Sequence, residues 1–418
     1  MRQARLTRLL MVNYSLHILV IILEIALFAH SLTFHNTYPL RFSRTRKPAT
    51  ETLDNCSHLK ALRPIKMDTT PVAGAEGLEK HLLQLLDAPE MLLNVNLFDQ
   101  VDIQLNETNI PPLIPRLLPK LTQILGIYQK DPTVLASLAI KLLQPIRFAQ
   151  SLTLASEESL IQALRSPAPS ANILGITVVE KAALSPGDTA IMSIMKGVVE
   201  ALIRTWLSTP HVEVGEKATK ALRELLDVDC DRRTMDKRMD GMEITSRRRP
   251  GQGLLWRRIF QDRDIYKLIF NLCSFKTAGK GEGQLDERQK SLAQARLLRL
   301  LPLLAVLDFH TISHSHFPDV EAEYELQGEV GVLWFAATHM INKEEDMLMH
   351  ITAIDFFAEF LDALSMTEIG PPTMVYLKKL LRKVTESDQT MYKSLESIAL
   401  NPKSTPELVD LLVKLNKE

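Results

Sequence analysis

Two stretches of the sequence, 43 residues apart, share one pattern: an apolar helix end, a proline turn and a second apolar helix. Leu-Arg-Ser-Pro at 164–167 precedes an apolar run at 176–184, and Leu-Ser-Thr-Pro at 207–210 precedes another at 221–226. A period of roughly 40–47 residues built from helix pairs is typical of HEAT and armadillo solenoids. Such pairs stack because none buries its apolar face alone, and the stack presents a long surface suited to binding another protein.

Helical spacing of apolar residues continues from residue 67 onward, and no alternating pattern of strand length interrupts it. Asp131 and Pro132 predict the start of a helix over 133–143, since aspartate suits a helix cap and proline a first turn. Asp188 likewise predicts the start of a long, nearly continuous helix over 189–207. We therefore predict an all-α chain, a HEAT/armadillo-like α-solenoid of about eight helical repeats.

The pattern predicts four segments along the chain. Residues 1–66 form an extension outside the repeats, 67–226 the N-terminal HEAT-like repeats, and 254–418 the C-terminal HEAT-like repeats. Between the two sets of repeats, residues 227–253 mix acidic residues with the run Arg247–Arg249 and lack helical periodicity. Such a stretch is typical of a charged, flexible insertion between helix pairs.

The first 66 residues admit three interpretations. Arg2, Arg5 and Arg8 precede a mostly apolar stretch at 9–32, which has about the length needed to span a bilayer. This arrangement fits a membrane anchor or an organelle-targeting segment, although the stretch contains a glutamate that is costly in lipid. Alternatively, the segment is an upstream extension of the gene model and translation begins at Met67. The residues do not decide between starts at Met1 and Met67.

Charge and cysteine content argue against several classes of protein. The net charge is −1, so no overall positive field favours nucleic acid, and no aromatic residues alternate with the basic run at 247–249. The three cysteines show no paired spacing, which is typical of a reducing compartment. We therefore predict no nucleic-acid partner and a cytoplasmic and nuclear location, with a membrane location as the alternative if 9–32 is an anchor.

Residue patterns that would indicate catalysis are weak. Residues 279–283 combine glycines with a lysine but lack the spacing of a phosphate-binding loop. His310, His314 and His316 precede acidic residues, a loose metal-site pattern that is more typical of a solvated connection. No nucleophile elbow and no His-Glu-x-x-His helix occurs. We predict a protein that is not an enzyme and has neither a cofactor nor a metal site.

The most specific local sequence lies at 251–266, where aromatic and charged residues surround a short helical pattern. Its tryptophan and tyrosine fit either packing between helices or contact with a partner. Its two acids near the start of the next helix fit either a helix N-terminus or a binding surface. The candidate partner-binding residues are Trp256, Arg257, Arg258, Asp262, Asp264 and Tyr266.

This motif, Gly-x-Gly-Leu-Leu-Trp-Arg-Arg-Ile-Phe-x-Asp-x-Asp-Ile-Tyr, resembles one found in the proteasome base-assembly chaperones. That family includes 26S proteasome non-ATPase regulatory subunit 5, and its fungal members are often labelled as DNA mismatch repair proteins. The helical block at 295–309, the sequence Val-Leu-Trp-Phe-Ala-Ala-Thr-His at 332–339 and the stretch at 345–357 extend the likeness. It covers about 67–418 and omits 1–66, which favours the upstream-extension interpretation.

The resemblance implies a chaperone of HEAT-like repeats in the cytosol and nucleus. Such chaperones hold the C-terminal domain of an AAA ATPase subunit of the proteasome regulatory particle, and they delay docking of the ATPase ring on the core particle. The resemblance transfers no catalytic residues and does not identify the ATPase subunit. The alternative is a generic HEAT-repeat protein-binding adaptor, tethered to a membrane if residues 9–32 are an anchor.

Overall fold

The computed structural model describes residues 71–128, 130–152, 156–231, 251–275, 285–328, 330–386, 388–402 and 404–416. Over these residues the chain is all-α, as predicted, and contains no strand. The chain divides into two compact units, with the boundary between Ser156 and Glu157. This boundary lies upstream of the predicted insertion at 227–253, of which residues 232–250 lie outside the described part.

The first unit contains five described helices, whose spans are α1 Ala75–Asp87, α2 Val95–Gln104, α3 Ile114–Ile127, α4 Thr133–Leu143 and α5 Phe148–Leu152. The prediction of a helix over 133–143 is confirmed, and Asp131 accepts a hydrogen bond of 3.0 Å from the Thr133 amide. Glu79 on α1 joins this helix to α3, because its carboxylate pairs with Arg116 at 2.6 Å and with Lys120 at 2.8 Å.

The second unit is larger and contains a 3₁₀ turn, Lys181–Leu184, in addition to its α-helices. The described helices are α6 Glu157–Arg165, α7 Pro169–Glu180, α8 Pro186–Ile194, α9 Lys196–Ser208, α10 Val212–Asp229, α11 Leu254–Phe260, α12 Arg263–Cys273, α13 Glu287–Ser313, α14 Pro318–Ala322, α15 Gly331–Thr338, α16 Met347–Ser365, α17 Pro371–Glu386, α18 Gln389–Leu400 and α19 Pro406–Asn416.

The 43-residue repeat of the sequence corresponds to two helix pairs, α6–α7 and α9–α10. Helix α6 ends at Arg165 and α9 ends 43 residues later, while α7 and α10 begin with the same offset. In the first pair the turn carbonyls are satisfied by Asn172, whose side-chain amide donates to the carbonyls of Ala163, Leu164 and Ser166 at 3.1, 2.8 and 2.9 Å. A buried side chain thus closes the proline turn.

The second pair closes its turn with a residue from a distant helix. The position equivalent to Asn172 is Gly215, and the space is filled by the buried guanidinium of Arg296 from α13. Arg296 donates to the carbonyls of Trp206 and Thr209 at 2.9 and 2.8 Å, which are the equivalents of the acceptors in the first pair. Helix α13 is therefore tied to the α9–α10 turn by hydrogen bonds as well as by apolar packing.

The prediction of one long, nearly continuous helix that begins at Asp188 and covers 189–207 is wrong. The chain forms two helices, α8 and α9, separated at Met195, whose ψ of 71° is not helical. Ser185, rather than Asp188, caps the first of them. The break is stabilised by tertiary contacts, because the Ser193 carbonyl accepts a hydrogen bond of 2.9 Å from the Arg258 side chain. Such a bond replaces an intrahelical partner that the break removes.

Several predicted segments lie outside the described residues. These are the extension at 1–66 with its apolar stretch at 9–32, the basic run at 247–249 and the glycine-rich residues 279–283. Among the helices that the structure does describe, none has both the length and the apolar character needed to cross a bilayer.

Candidate protein-binding surface

The two glycines that open the 251–266 motif dock the chain onto the end of α10. The amides of Gly251 and Gly253 donate to the carbonyls of Cys230 and Asp229 at 3.0 and 2.8 Å. A Cβ at Gly251 would lie 2.0 Å from the Asp229 carbonyl carbon, and Gly253 has a φ of +64°, which favours glycine. Both glycines are therefore required by the backbone, independently of any partner.

Asp229 completes this junction from the other side. Its buried carboxylate accepts hydrogen bonds of 2.7 and 3.2 Å from the amides of Leu255 and Trp256 at the start of α11. Burial raises the pKa of Asp229 above its ordinary value, while these amides act in the opposite direction. The carboxylate supplies acceptors that the first turn of a helix otherwise lacks.

The two large aromatic residues of the motif are core residues. Trp256 is buried and donates its indole N–H to the Leu226 carbonyl at 2.9 Å. Tyr266 is buried as well and donates its hydroxyl to the carboxylate of Glu321 at 2.9 Å. Both rings are out of a partner's reach in this fold, so the surface described below does not include them.

The arginines of the motif are held by neighbouring backbone. Arg257 is exposed, and its guanidinium donates to the carbonyls of Gly253 and Gln252 at 3.1 and 2.7 Å. Arg258 bonds the Ser193 carbonyl and also pairs with Asp262 at 3.0 Å. Arg258 therefore links α11 to α8 and also pairs with an acid of the motif.

Lys196 joins both acids of the motif. Its ammonium lies 3.0 Å from Asp262 and 2.7 Å from Asp264, and Asp262 also caps α12 by accepting the Asp264 amide. Partial burial by itself would raise the pKa of Asp262, but Lys196 and Arg258 outweigh it and hold the pKa below its ordinary value. We call Lys196, Arg258, Asp262 and Asp264 the charge network.

Exposed isoleucines adjoin the charge network. Ile191 and Ile194 lie three residues apart on α8, and Ile194 exposes 74% of its surface. Ile194 follows Ser193, whose carbonyl holds Arg258, and precedes Lys196 by two residues. We call the two isoleucines together with the charge network the α8 surface. Apolar side chains bordered by charges of both signs are typical of protein–protein contact sites.

The sequence predicts three charged residues of this surface, Arg258, Asp262 and Asp264, but not Lys196 or the isoleucines. Ile191, Ile194 and Lys196 fall within the stretch that the sequence predicted as a single helix. Their spacing shows that the two isoleucines share a helix face, but it does not show that no other helix covers that face. Only the break at Met195 and the docking of Arg258 bring them beside the motif.

A polar cleft of about 320 Å³ opens beside α11. It reaches the point where α13 changes direction at Asp308, whose carboxylate accepts the Thr311 amide at 3.1 Å. Two of the six predicted site residues contribute to its walls. The lining residues are Asp231, Gly253, Trp256, Arg257, Gln261, Asp308 and Thr311.

The histidine-rich stretch is arranged for packing and ion pairing. The rings of His310 and His314 stack at 4.4 Å, and Glu321 is buried against Tyr266. Glu323 pairs with Lys267 at 2.7 Å. Within the part of the chain that the structure describes, no group of histidine, cysteine, aspartate and glutamate side chains has an arrangement that would hold a metal ion.

Comparisons with protein-family models, with curated proteins and with solved structures found no match for this chain.

Proposed function

We propose that this protein is an assembly chaperone of the proteasome regulatory particle base, built as a HEAT-like α-solenoid of about eight repeats. It binds the C-terminal domain of an AAA ATPase subunit in the cytosol and nucleus, and it delays docking of that subunit on the core particle. It acts by binding alone and carries out no reaction. The resemblance at 251–266 supplies the family, and the α8 surface is the observation that supports partner binding.

The repeated helix pairs support the solenoid part of the proposal. Helices α6–α7 and α9–α10 keep a 43-residue offset and close their turns on equivalent carbonyls. A constant offset with equivalent turns is typical of stacked helical repeats, in which each helix pair contacts mainly its neighbours. It is also consistent with a binding protein, since stacked repeats present extended surfaces.

The composition of the α8 surface suits a contact that must later be released. Exposed ion pairs of the kind formed by Lys196 contribute little to affinity, about 0–1 kcal/mol each, because water competes for both charges. They contribute more to orientation and to the rate of association. The apolar contribution comes mainly from Ile194, whose burial supplies roughly 1.5–3 kcal/mol, while Ile191 is already more than half buried and contributes less. A chaperone that leaves after assembly needs a moderate affinity of this kind.

The test compares two single substitutions in affinity purifications of the full chain from cells. Ile194→Asp places a charge in the α8 surface, while Ile103→Asp makes the same change at a position in the first unit that is 81% exposed. We expect the unmodified chain and Ile103→Asp to recover one or two proteasomal ATPase subunits without core-particle subunits. Ile194→Asp should reduce that recovery by roughly tenfold, the loss expected when one central contact is removed.

Two results would contradict the proposal. A purification without proteasomal ATPases would remove the family-based function, and a consistent set of other partners would support the adaptor alternative. Equal recovery of ATPases by Ile194→Asp and the control would keep the function but reject the α8 surface as its site.

A further inference from the structure

Helix α16 buries one face and leaves the opposite face bare. The helix packs against α13, α18 and α19, and its buried side chains include Phe356, Phe357 and Phe360. The start of the helix is fixed, since the Asp346 carboxylate accepts the Met349 amide at 3.0 Å and the Ser291 hydroxyl at 2.8 Å. The bare face is therefore presented by a rigid, well-anchored element.

The first two turns of this bare face are apolar. Met347 and Leu348 expose 65% and 72% of their surface, and Ile351 exposes 50%. Residues three and four apart are neighbours on a helix surface, so Ile351 lies next to both of the others. Three adjacent large apolar side chains in water are costly, in contrast to single exposed residues, which are common.

Acidic residues continue the same face. Asp355, Glu359 and Asp362 are exposed and follow Ile351 at helical spacing, so the line from 348 to 362 covers about 20 Å. Glu344 and Glu345 are exposed immediately before the helix. Residues 344–365 contain six acids and neither lysine nor arginine. We call Met347, Leu348, Ile351, Asp355 and Glu359 the α16 stripe.

The carboxylates of the α16 stripe are available for a partner. The residues that the structure describes form no ion pair with Asp355, Glu359, Glu344 or Glu345. The nearby cation Lys343 is engaged elsewhere, at 2.9 Å from Asp388. The face therefore combines an apolar cluster with uncompensated negative charge on both sides of it.

We propose that the α16 stripe docks a basic amphipathic helix of a partner protein. Apolar side chains of such a helix would cover Met347, Leu348 and Ile351, and flanking lysines or arginines would meet the acids on either side. Nucleic acids and anionic membranes carry charge of the same sign as the stripe and would be repelled. This inference goes beyond the proposed function and does not rest on it, because it requires neither the α8 surface nor an ATPase partner.

The probe is a fluorescein-labelled peptide of about 18 residues, long enough for a helix, with leucines on one face and lysines on the other. A second peptide has glutamate in place of every lysine. Binding to the full chain is followed by fluorescence anisotropy at about 50 mM and about 300 mM salt, which screens exposed charges to different extents. We expect the lysine peptide to bind more tightly at low salt and the glutamate peptide not to bind.

Two variants of the stripe test its charged and apolar parts separately. Asp355→Lys with Glu359→Lys reverses two charges, and Glu76→Lys with Glu396→Lys makes the same change at exposed acids elsewhere. We expect the first pair to weaken binding at least about tenfold and the second to change it less than about twofold, since only the first pair faces the docked helix.

The apolar test replaces Met347, Leu348 and Ile351 by serine. Its control replaces three other exposed apolar residues by serine, namely Leu92, Ile103 and Leu400. The stripe variant should again bind the lysine peptide at least about tenfold more weakly, and the control less than about twofold more weakly. Thermal melts followed by circular dichroism check that every variant folds. Folding is expected, because the substituted positions are exposed.

Three results would overturn the proposal. The first is failure of the lysine peptide to bind the unmodified chain. The second is equal weakening of binding by both charge variants, which would indicate attraction by overall charge. Binding of phosphatidylserine vesicles that the stripe substitutions abolish would assign the face to a membrane instead of a protein helix.

Discussion

The turn between α9 and α10 depends on one guanidinium from α13, and removing it should destabilise the second unit. Arg296 donates to the carbonyls of Trp206 and Thr209, and it reaches the His211 carbonyl at 3.3 Å. Arg296→Met leaves at least two buried acceptors without a donor, at about 1–3 kcal/mol each. Burial lowers the pKa of Arg296, a sign that its own desolvation is costly and offsets part of this loss. We expect a net destabilisation of roughly 2–4 kcal/mol.

Gly215 should be nearly as sensitive, for a steric reason. A Cβ at this position would lie 2.3 Å from Nε and 2.4 Å from Cζ of Arg296. Gly215→Ala therefore displaces the guanidinium, although the gain in helix propensity returns about 1 kcal/mol. The double change Gly215→Asn with Arg296→Met copies the first helix pair, where Asn172 bonds the equivalent carbonyls. It should recover at least half of the stability that Arg296→Met loses.

The assay is urea unfolding followed by tryptophan fluorescence, with hydrogen exchange of the peptides that cover 205–212 as the local readout. Arg299→Met serves as the control, because Arg299 lies on the same helix but is exposed and pairs with Glu216 at the surface. The free energy of unfolding of the Arg299→Met control should fall by less than about 1 kcal/mol. Arg296 does not have this role if Gly215→Asn adds no stability in the Arg296→Met background, or if the two arginine variants unfold alike.

Two further predictions concern buried carboxylates. Tyr266→Phe removes a hydroxyl donor from Glu321 and should destabilise the chain by about 1–3 kcal/mol in urea unfolding, whereas unchanged stability would show that the bond is dispensable. Burial by itself would raise the pKa of Asp388, but the Met391 amide, Lys343 and a histidine hold it below its ordinary value. Its ionised form therefore stabilises the fold above about pH 4, and that contribution disappears as the pH falls through the lowered pKa. Asp388→Asn should be less stable than the unmodified chain at pH 7, and the gap should narrow toward about pH 3; a gap independent of pH would contradict this account.

The helical class and much of its local detail follow from the sequence. The helix over 133–143 and the offset between the two proline turns could be predicted, because caps, proline positions and apolar spacing act between residues close in the chain. The long helix over 189–207 could not be predicted correctly. Its break at Met195 carries no local proline, and it is stabilised by Arg258 from a helix far along the chain.

In the candidate site too, some features could be predicted from the sequence and others depend on tertiary contacts. The motif at 251–266 was recognisable in the sequence, but the sequence does not distinguish residues that fold the chain from residues that remain at its surface. Burial places Trp256 and Tyr266 in the core, and leaves Asp264 with Lys196 at the surface. The exposure of Ile194 likewise depends on which helices pack against α8.

The sequence by itself determined an all-α chain with a 43-residue repeat of helix pairs, because those properties depend on contacts within a few turns. Tertiary structure alone decided how each turn is closed. Asn172 does so from within its own repeat, whereas Arg296 does so from a helix more than eighty residues away. Whether a side chain is buried depends on residues distant in the chain, and the spacing of residues along the sequence does not identify them.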